Sequence, residues 1–184
     1  HKTKKILEKN GYEHYEISNF AKKGFESKHN LNCWNQKEYL GFGLASSSYY
    51  NKKRFTNITN LEKYIKNIKE EKKSENIEIN EIQKREDTLK EYMMLGFRKI
   101  KGISISEFEN KFQINPLFYF RFEISKLVDE GLIKVDLDNI KLTTKGLDFA
   151  NIVFEEFIWI INIWILLEII LLYMYYSIKR NRKN

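Results

Sequence analysis

A single cysteine, Cys33, among 184 residues excludes an internal disulfide framework, and a lone thiol suits a reducing compartment, with the cytoplasm as default. The same scarcity leaves no zinc-binding spacing of cysteines and histidines. There is no P-loop, and no nucleophile elbow that would mark a hydrolase. Gly41-Phe42-Gly43 with Ala45 looks superficially like a glycine-rich cofactor loop. It lacks the third glycine and the helix that should follow, so a dinucleotide-binding reading fails. The only proline, Pro116, stands where a helix can open at its first turn.

Charge of one sign is also thinner than the net value of +7 suggests. Residues 158–184 hold Lys179, Arg180, Arg182 and Lys183 against Glu168, which is +3. The first 157 residues then carry 28 basic and 24 acidic side chains, +4, an ordinary lysine-rich surface. Nucleic acid is not an expected partner on this balance.

What reactive chemistry there is gathers in one stretch. Two of the three histidines (His14 and His29), the only cysteine and one of three tryptophans, Trp34, fall between Tyr12 and Trp34. His29 is a candidate axial ligand for haem or another metal, because neutral imidazole is the commonest protein nitrogen ligand; the alternative is a structural anchor for its loop. Cys33 is either a thiolate donor or a small buried hydrophobe. His14 reads as a surface or pocket-edge residue.

Along the chain, residues 2–10 read as a helix closed by Gly11, feeding a strand over Tyr12–Ser18. Asn19–Lys28 reads as a loop and His29–Tyr39 as a short helix or ordered loop. Leu40–Ser48 reads as a buried strand, with a return strand over Arg54–Ile58. Thr59 and Glu62 have the spacing of a capping box for a helix reaching Lys69. The charged residues 70–75 read as a linker and domain boundary. Beyond it, Gln83–Lys101 shows a helical apolar stripe, Ser106 a second helix start and Pro116–Glu130 a third helix. Leu132–Val135 and Ile140–Thr143 read as a hairpin, followed by a helix over Thr144–Phe157. The Phe118, Tyr119, Phe120 and Phe122 cluster reads as core. Three helices, a two-stranded wing and a last helix make a winged-helix arrangement. Residues 158–178, with only Asn162, Glu168 and Ser177 clearly polar, have the length of about 20 apolar residues that spans a bilayer.

The run Tyr15-Glu16-Ile17-Ser18-Asn19-Phe20-Ala21, then Gly24, Ser27, His29-Asn30, Trp34, Tyr39, Gly41 and Gly43, resembles the HemW family of coproporphyrinogen III oxidase-like radical SAM proteins. The distal motifs are similar to that family's C-terminal domain: Glu91-Tyr92-Met93-Met94-Leu95-Gly96, Gly102-Ile103-Ser104, Glu130-Gly131-Leu132-Ile133 and Leu142-Thr143 with Lys145-Gly146. The resemblance covers roughly residues 5–157. It implies an α/β fold: the C-terminal part of a partial TIM-like radical SAM barrel (1–70), a winged-helix domain (76–157) and a hydrophobic tail (158–184). The family implies a 4Fe-4S cluster, S-adenosylmethionine, and haem carried to apo-proteins. The cluster is normally held by a three-cysteine motif, C-x-x-x-C-x-x-C. That motif is absent here, so this chain is not expected to build the cluster or to cleave S-adenosylmethionine.

The resemblance makes His29, Asn30, Cys33 and Trp34 the candidate haem-binding residues, and puts Gly41, Gly43 and Ala45 on the ligand side. Cys33 stands where the family has tyrosine. The chain begins at His1 and is read as a fragment or processed product of a longer protein. Its tail has no family counterpart. It is read as a frameshift or read-through segment, with membrane anchoring as the alternative. The expected function is haem chaperoning. The alternatives are oxygen-independent coproporphyrinogen III oxidation and DNA reading by the winged helix. The last is opposed by Pro116–Glu130, whose net charge is −1.

Overall fold

The computed structural model describes residues 2–158. Apart from Ile158, the hydrophobic tail inferred above lies outside them. Among the described residues no helix is long and apolar enough to cross a membrane. The described residues form two compact units, divided between Lys101 and Gly102.

In the first unit, α1 (Lys2–Lys9) ends where Gly11 takes a φ of +79°, and the Asn10 side chain donates to the Ile6 carbonyl at 2.8 Å. Two strands follow, β1 (Glu13–Glu16) and β2 (Asn19–Ala21), paired antiparallel. The second replaces part of the expected loop. The reason lies in Glu16, whose fully buried carboxylate accepts from the Ser18 amide at 2.9 Å and from the Asn19 side chain, folding the turn back on itself. Outside this hairpin, residues 98–100 run along β1: Ile17 donates its amide to Arg98 O at 3.0 Å and Ile100 donates to Tyr15 O at 3.2 Å.

Next come α2 (Lys28–Trp34), β3 (Ser47–Tyr50), β4 (Lys53–Asn57) and α3 (Leu61–Lys69). The β3–β4 turn places Asn51 and Lys52 at φ of +49° and +60°, as the tightest hairpins require. The expected strand over Leu40–Ser48 is a loop until Ser47. Gly43 and Ala45 sit at φ of +97° and +57°, and Asn57 donates its side-chain amide to Gly43 O at 2.7 Å, so this backbone cannot stay extended. Leu40 and Phe42 are correspondingly exposed, not buried.

Asn60, one residue after the expected Thr59, caps α3 by accepting from the Lys63 amide at 2.8 Å. The helix buries Asn67, which donates to Asn76 at 2.8 Å, and leaves Leu61, Ile65 and Ile68 exposed. The charged residues 70–75 lie within this unit, as the helix end and part of a 3-10 turn at Lys73–Asn76. The following β5 (Ile77–Ile82) pairs with β4 and gives a sheet of order β3-β4-β5; all six residues of β5 are exposed. The helix expected over Gln83–Lys101 is α4 (Arg85–Gly96), shorter at both ends. Gln83 donates its amide to Lys52 O at 2.9 Å, and the residues after Gly96 turn to pair with β1.

The second unit holds β6 (Ile103–Ser104), α5 (Ile105–Phe112), α6 (Pro116–Tyr119), α7 (Arg121–Asp129), β7 (Ile133–Asp136), β8 (Asn139–Leu142), α8 (Thr144–Asp148) and α9 (Ala150–Ile158). Its sheet has the order β6-β8-β7, all antiparallel. Ser104, rather than Ser106, caps α5. Ser106 instead joins Ser104 on the Asp138 carboxylate, at 2.8 and 2.7 Å. These hydroxyls hold the Asp138 carboxyl below its usual range. The third expected helix divides at Phe120, which leaves helical geometry at φ −104° and ψ 31°.

Phe108, Phe120 and Phe157 are fully buried and meet edge to face, with Phe108–Phe120 at 6.3 Å and Phe120–Phe157 at 5.4 Å. Of the expected aromatic cluster only Phe120 is core. Phe118 and Phe122 are 72% and 71% exposed, with the Arg121 guanidinium over both rings. Among the described residues the strands form three separate antiparallel sheets and no closed barrel.

Gly146 marks where the second unit is tightest. A Cβ there would stand 1.9 Å from Leu132 O, a backbone atom that also accepts the Thr143 amide at 2.9 Å. Gly146→Ala should therefore destabilise this unit by about 1–3 kcal/mol, read from the midpoint of urea unfolding. An unchanged midpoint would show that the contact relaxes freely.

Candidate functional site

Helix α2 presents the candidate ligands. Ser27 caps it, its hydroxyl accepting from the Asn30 amide at 3.3 Å. His29 and Cys33 are one turn apart, so they share a face, with His29 Nε2 3.8 Å from Cys33 Sγ. The imidazole is exposed and the thiol half-buried. Tyr39 meets the His29 ring edge-on, centroids 6.2 Å apart. From Tyr39 the chain runs directly into Leu40 and Phe42, which are 53% and 88% exposed.

Trp34 belongs to a different setting. The Arg98 guanidinium lies over its ring at 4.2 Å, and its indole nitrogen is buried without a hydrogen-bond partner. At the helix end, Asn35 accepts from Lys99 Nζ at 2.6 Å. The structure thus brings His29 and Cys33 together, while Asn30 takes part through its backbone and Trp34 anchors α2 to the segment beside β1.

The loop after α2 is fixed by a carboxylate. Glu91, on α4, accepts from Gln36 Nε2 at 2.8 Å, from Gln83 Nε2 at 2.6 Å and from the Arg54 guanidinium. Gln36 is buried, sits at φ +53° and also donates to Thr88 O at 3.1 Å. Arg54 reaches Glu81 at 3.6 Å and lies 4.8 Å over the Tyr49 ring. Burial, reinforced by the Glu91 charge, pushes the Tyr49 phenol up. Burial also pushes the Cys33 thiol up, partly offset by Arg54. None of Glu91, Gln36, Gln83 and Arg54 was singled out as a site residue from the sequence. Gln36 and Glu91 are 55 positions apart, and no spacing links them.

Gly41, Gly43 and Ala45 shape a loop. A Cβ at Gly41 would stand 2.3 Å from Ser47 O, while Gly43 and Ala45 hold positive φ. The close approach that Gly41 permits is that of the chain's own backbone. His14 lies elsewhere, stacked on Phe20 at 4.3 Å, with Nε2 3.0 Å from Ile17 O. It helps line a cleft of about 530 Å³ with Lys4, Glu8 and Tyr12 that includes no residue of α2.

Among the described residues no three histidine, cysteine or acidic side chains gather where they could hold one metal ion. A single cysteine in the whole sequence cannot supply the thiolates of a 4Fe-4S cluster, so that group does not fit the residues present. An exposed imidazole such as that of His29 is a donor that fits haem iron.

Residues 83–149 match the HemN C-terminal domain. The chain is similar to proteins named haem chaperone HemW. It is 39% identical over 154 residues to the one from Lactococcus lactis, covering 83% of this chain and 39% of that protein. With the one from Bacillus subtilis it shares 36% over 152 residues, covering 83% and 40%. Its fold is similar to that of coproporphyrinogen III oxidase HemN from Escherichia coli, a radical SAM enzyme. The TM-score is 0.65 at 18% identity, over 85% of this chain and 39% of the other. The chain spans about two fifths of the length of these relatives.

Glu91→Gln should lower stability by about 1–3 kcal/mol, because a charged acceptor shared by three donors is lost. In a double-mutant cycle with Arg54→Met, urea unfolding should give a coupling of about 0.5–3 kcal/mol; additive losses would mean the pair does not act as a unit. For Cys33 the raised pKa favours the neutral thiol in the folded state. Alkylation by iodoacetamide should therefore set in at a higher pH in the native chain than in the same chain unfolded in urea. Coincident profiles would contradict the burial seen here.

Proposed function

We propose that this chain is the haem-holding portion of a haem chaperone-like radical SAM protein, with His29 as the iron ligand. The carrying observation is the exposed His29 imidazole on a capped helix, with Tyr39 against its edge and the chain running on from Tyr39 into the exposed Leu40 and Phe42, in a chain similar to proteins named haem chaperone HemW. Haem needs one nitrogen donor and an apolar surface for its face, and this region offers both. Asn30 holds the first turn of the helix, Trp34 fixes its far end, and Gly41, Gly43 and Ala45 shape the neighbouring loop.

In this reading residues 1–70 are the C-terminal part of a partial TIM-like barrel, and residues 76–157 form a winged-helix domain that packs rather than reads DNA. This division by family likeness, 1–70, 76–157 and 158–184, differs from the division into compact units, which falls after residue 101. The 4Fe-4S cluster and S-adenosylmethionine belong to the remainder of the full-length parent. Haem passes to apo-proteins in the cytoplasm, with the tail as an optional membrane tie. The likeness to HemN favours coproporphyrinogen oxidation as the second reading, again for a full-length parent.

The test is a haem titration of the full chain, followed by its Soret band, beside His29→Ala and Cys33→Tyr. A saturable shift lost in His29→Ala and kept in Cys33→Tyr is expected. Equal binding by His29→Ala would return His29 to the role of a loop anchor.

A further inference from the structure

We propose that His29 and Cys33 form a two-point chelate for a borderline-soft divalent ion of the zinc class. The site needs only these two side chains; it uses the imidazole that the haem reading also uses, so the ion and haem would compete for His29, and its test is independent of whether haem binds. Histidine and cysteine four positions apart on a helix project from one face, the spacing by which helical metal sites bring two ligands to one ion. A tetrahedral ion with metal–nitrogen bonds of about 2.0–2.1 Å and a metal–sulfur bond of about 2.3 Å holds its two donors about 3.5–3.6 Å apart. Nε2 and Sγ stand 3.8 Å apart, so a rotation of a few tenths of an ångström closes the bite.

The chemistry of the pair selects the ion. A thiolate with an imidazole favours zinc, cobalt or cadmium over magnesium or calcium, which prefer oxygen. The exposed imidazole gives the ion a path from solvent, while the half-buried sulfur is sheltered from competing oxidants. Arg54, the cation that acts on Cys33, is paired with Glu91 and Glu81 and presents little free charge to an incoming ion. Binding forms one metal–sulfur and one metal–nitrogen bond. The thiol releases its proton to solvent, the imidazole binds through the Nε2 lone pair with its proton on Nδ1, and no electron is transferred. Two protein ligands leave two positions to water, so the ion is exchangeable, unlike a closed four-ligand structural zinc. Cysteine at position 33 is what creates the chelate; the tyrosine of the family pattern would not provide the sulfur.

Cobalt(II) is the probe. Titrated into the reduced full chain, it should produce a sulfur-to-cobalt charge-transfer band in the near ultraviolet, with one proton released per ion, and zinc should displace it. Because Cys33 is the chain's only thiol, the band reports on this site alone. Cys33→Ser should abolish the band. His29→Gln, a change at an exposed position, should abolish or strongly weaken it, and His14→Gln should leave it unchanged. Absence of the band in the wild type, or undiminished affinity in His29→Gln, would overturn the proposal. A chain that takes cobalt but not haem would leave this site intact and remove the haem reading alone.

Discussion

The Glu91 carboxylate is the constraint on which the first unit depends. Three donors from three parts of the chain converge on it: Gln36 from the loop after α2, Gln83 from the end of β5 and Arg54 from β4. A charged acceptor with little solvent access gains from each donor, and removing it would take a charge-assisted bond from all three. Gln36 reaches it from a left-handed backbone, φ +53°, two residues past the end of α2. The loop that follows the helix of His29 and Cys33 is therefore anchored from a distance.

Much of the second unit was legible in the sequence because its signals are local. The alternation on either side of Asp136–Asn139 became β7 and β8 within a residue of their expected bounds, and Pro116 opens a helix with Asn115 capping it. Where reading failed, the deciding interaction was either a side chain acting on backbone or a contact between distant positions. Leu40–Ser48 has the composition of a buried strand, yet Asn57 and the positive φ of Gly43 and Ala45 bend it away. The β2 strand depends on Glu16, a carboxylate that hydropathy alone would place at the surface. The His29–Cys33 pairing could be foreseen from helical spacing, whereas the Glu91 network could not, since no periodicity joins positions 36, 54 and 91.

Helix α2 divides its duties along its length. Its first turn, capped by Ser27, exposes His29 to solvent, and its last turn is pinned by Arg98 over Trp34 and by Lys99 on Asn35. Anchoring one end while displaying the other lets an imidazole be both accessible and oriented, which a ligand on a free loop would not achieve. Placing a thiol rather than a phenol beside that imidazole changes the donor set without altering the helix.

Strand β5 has a consequence for handling the protein. Its six residues are all exposed, Ile77, Ile79 and Ile82 among them, and it carries neither the lysine nor the proline with which sheet edges are usually guarded. Helix α3 adds Leu61, Ile65 and Ile68 to the same unit's uncovered apolar surface. Glu78 and Glu81 are then the charges that keep the edges of two molecules apart. Colloidal behaviour should follow the screening of these charges: concentrated solutions will turn cloudy first in high salt, by edge-to-edge stacking of folded chains rather than by unfolding.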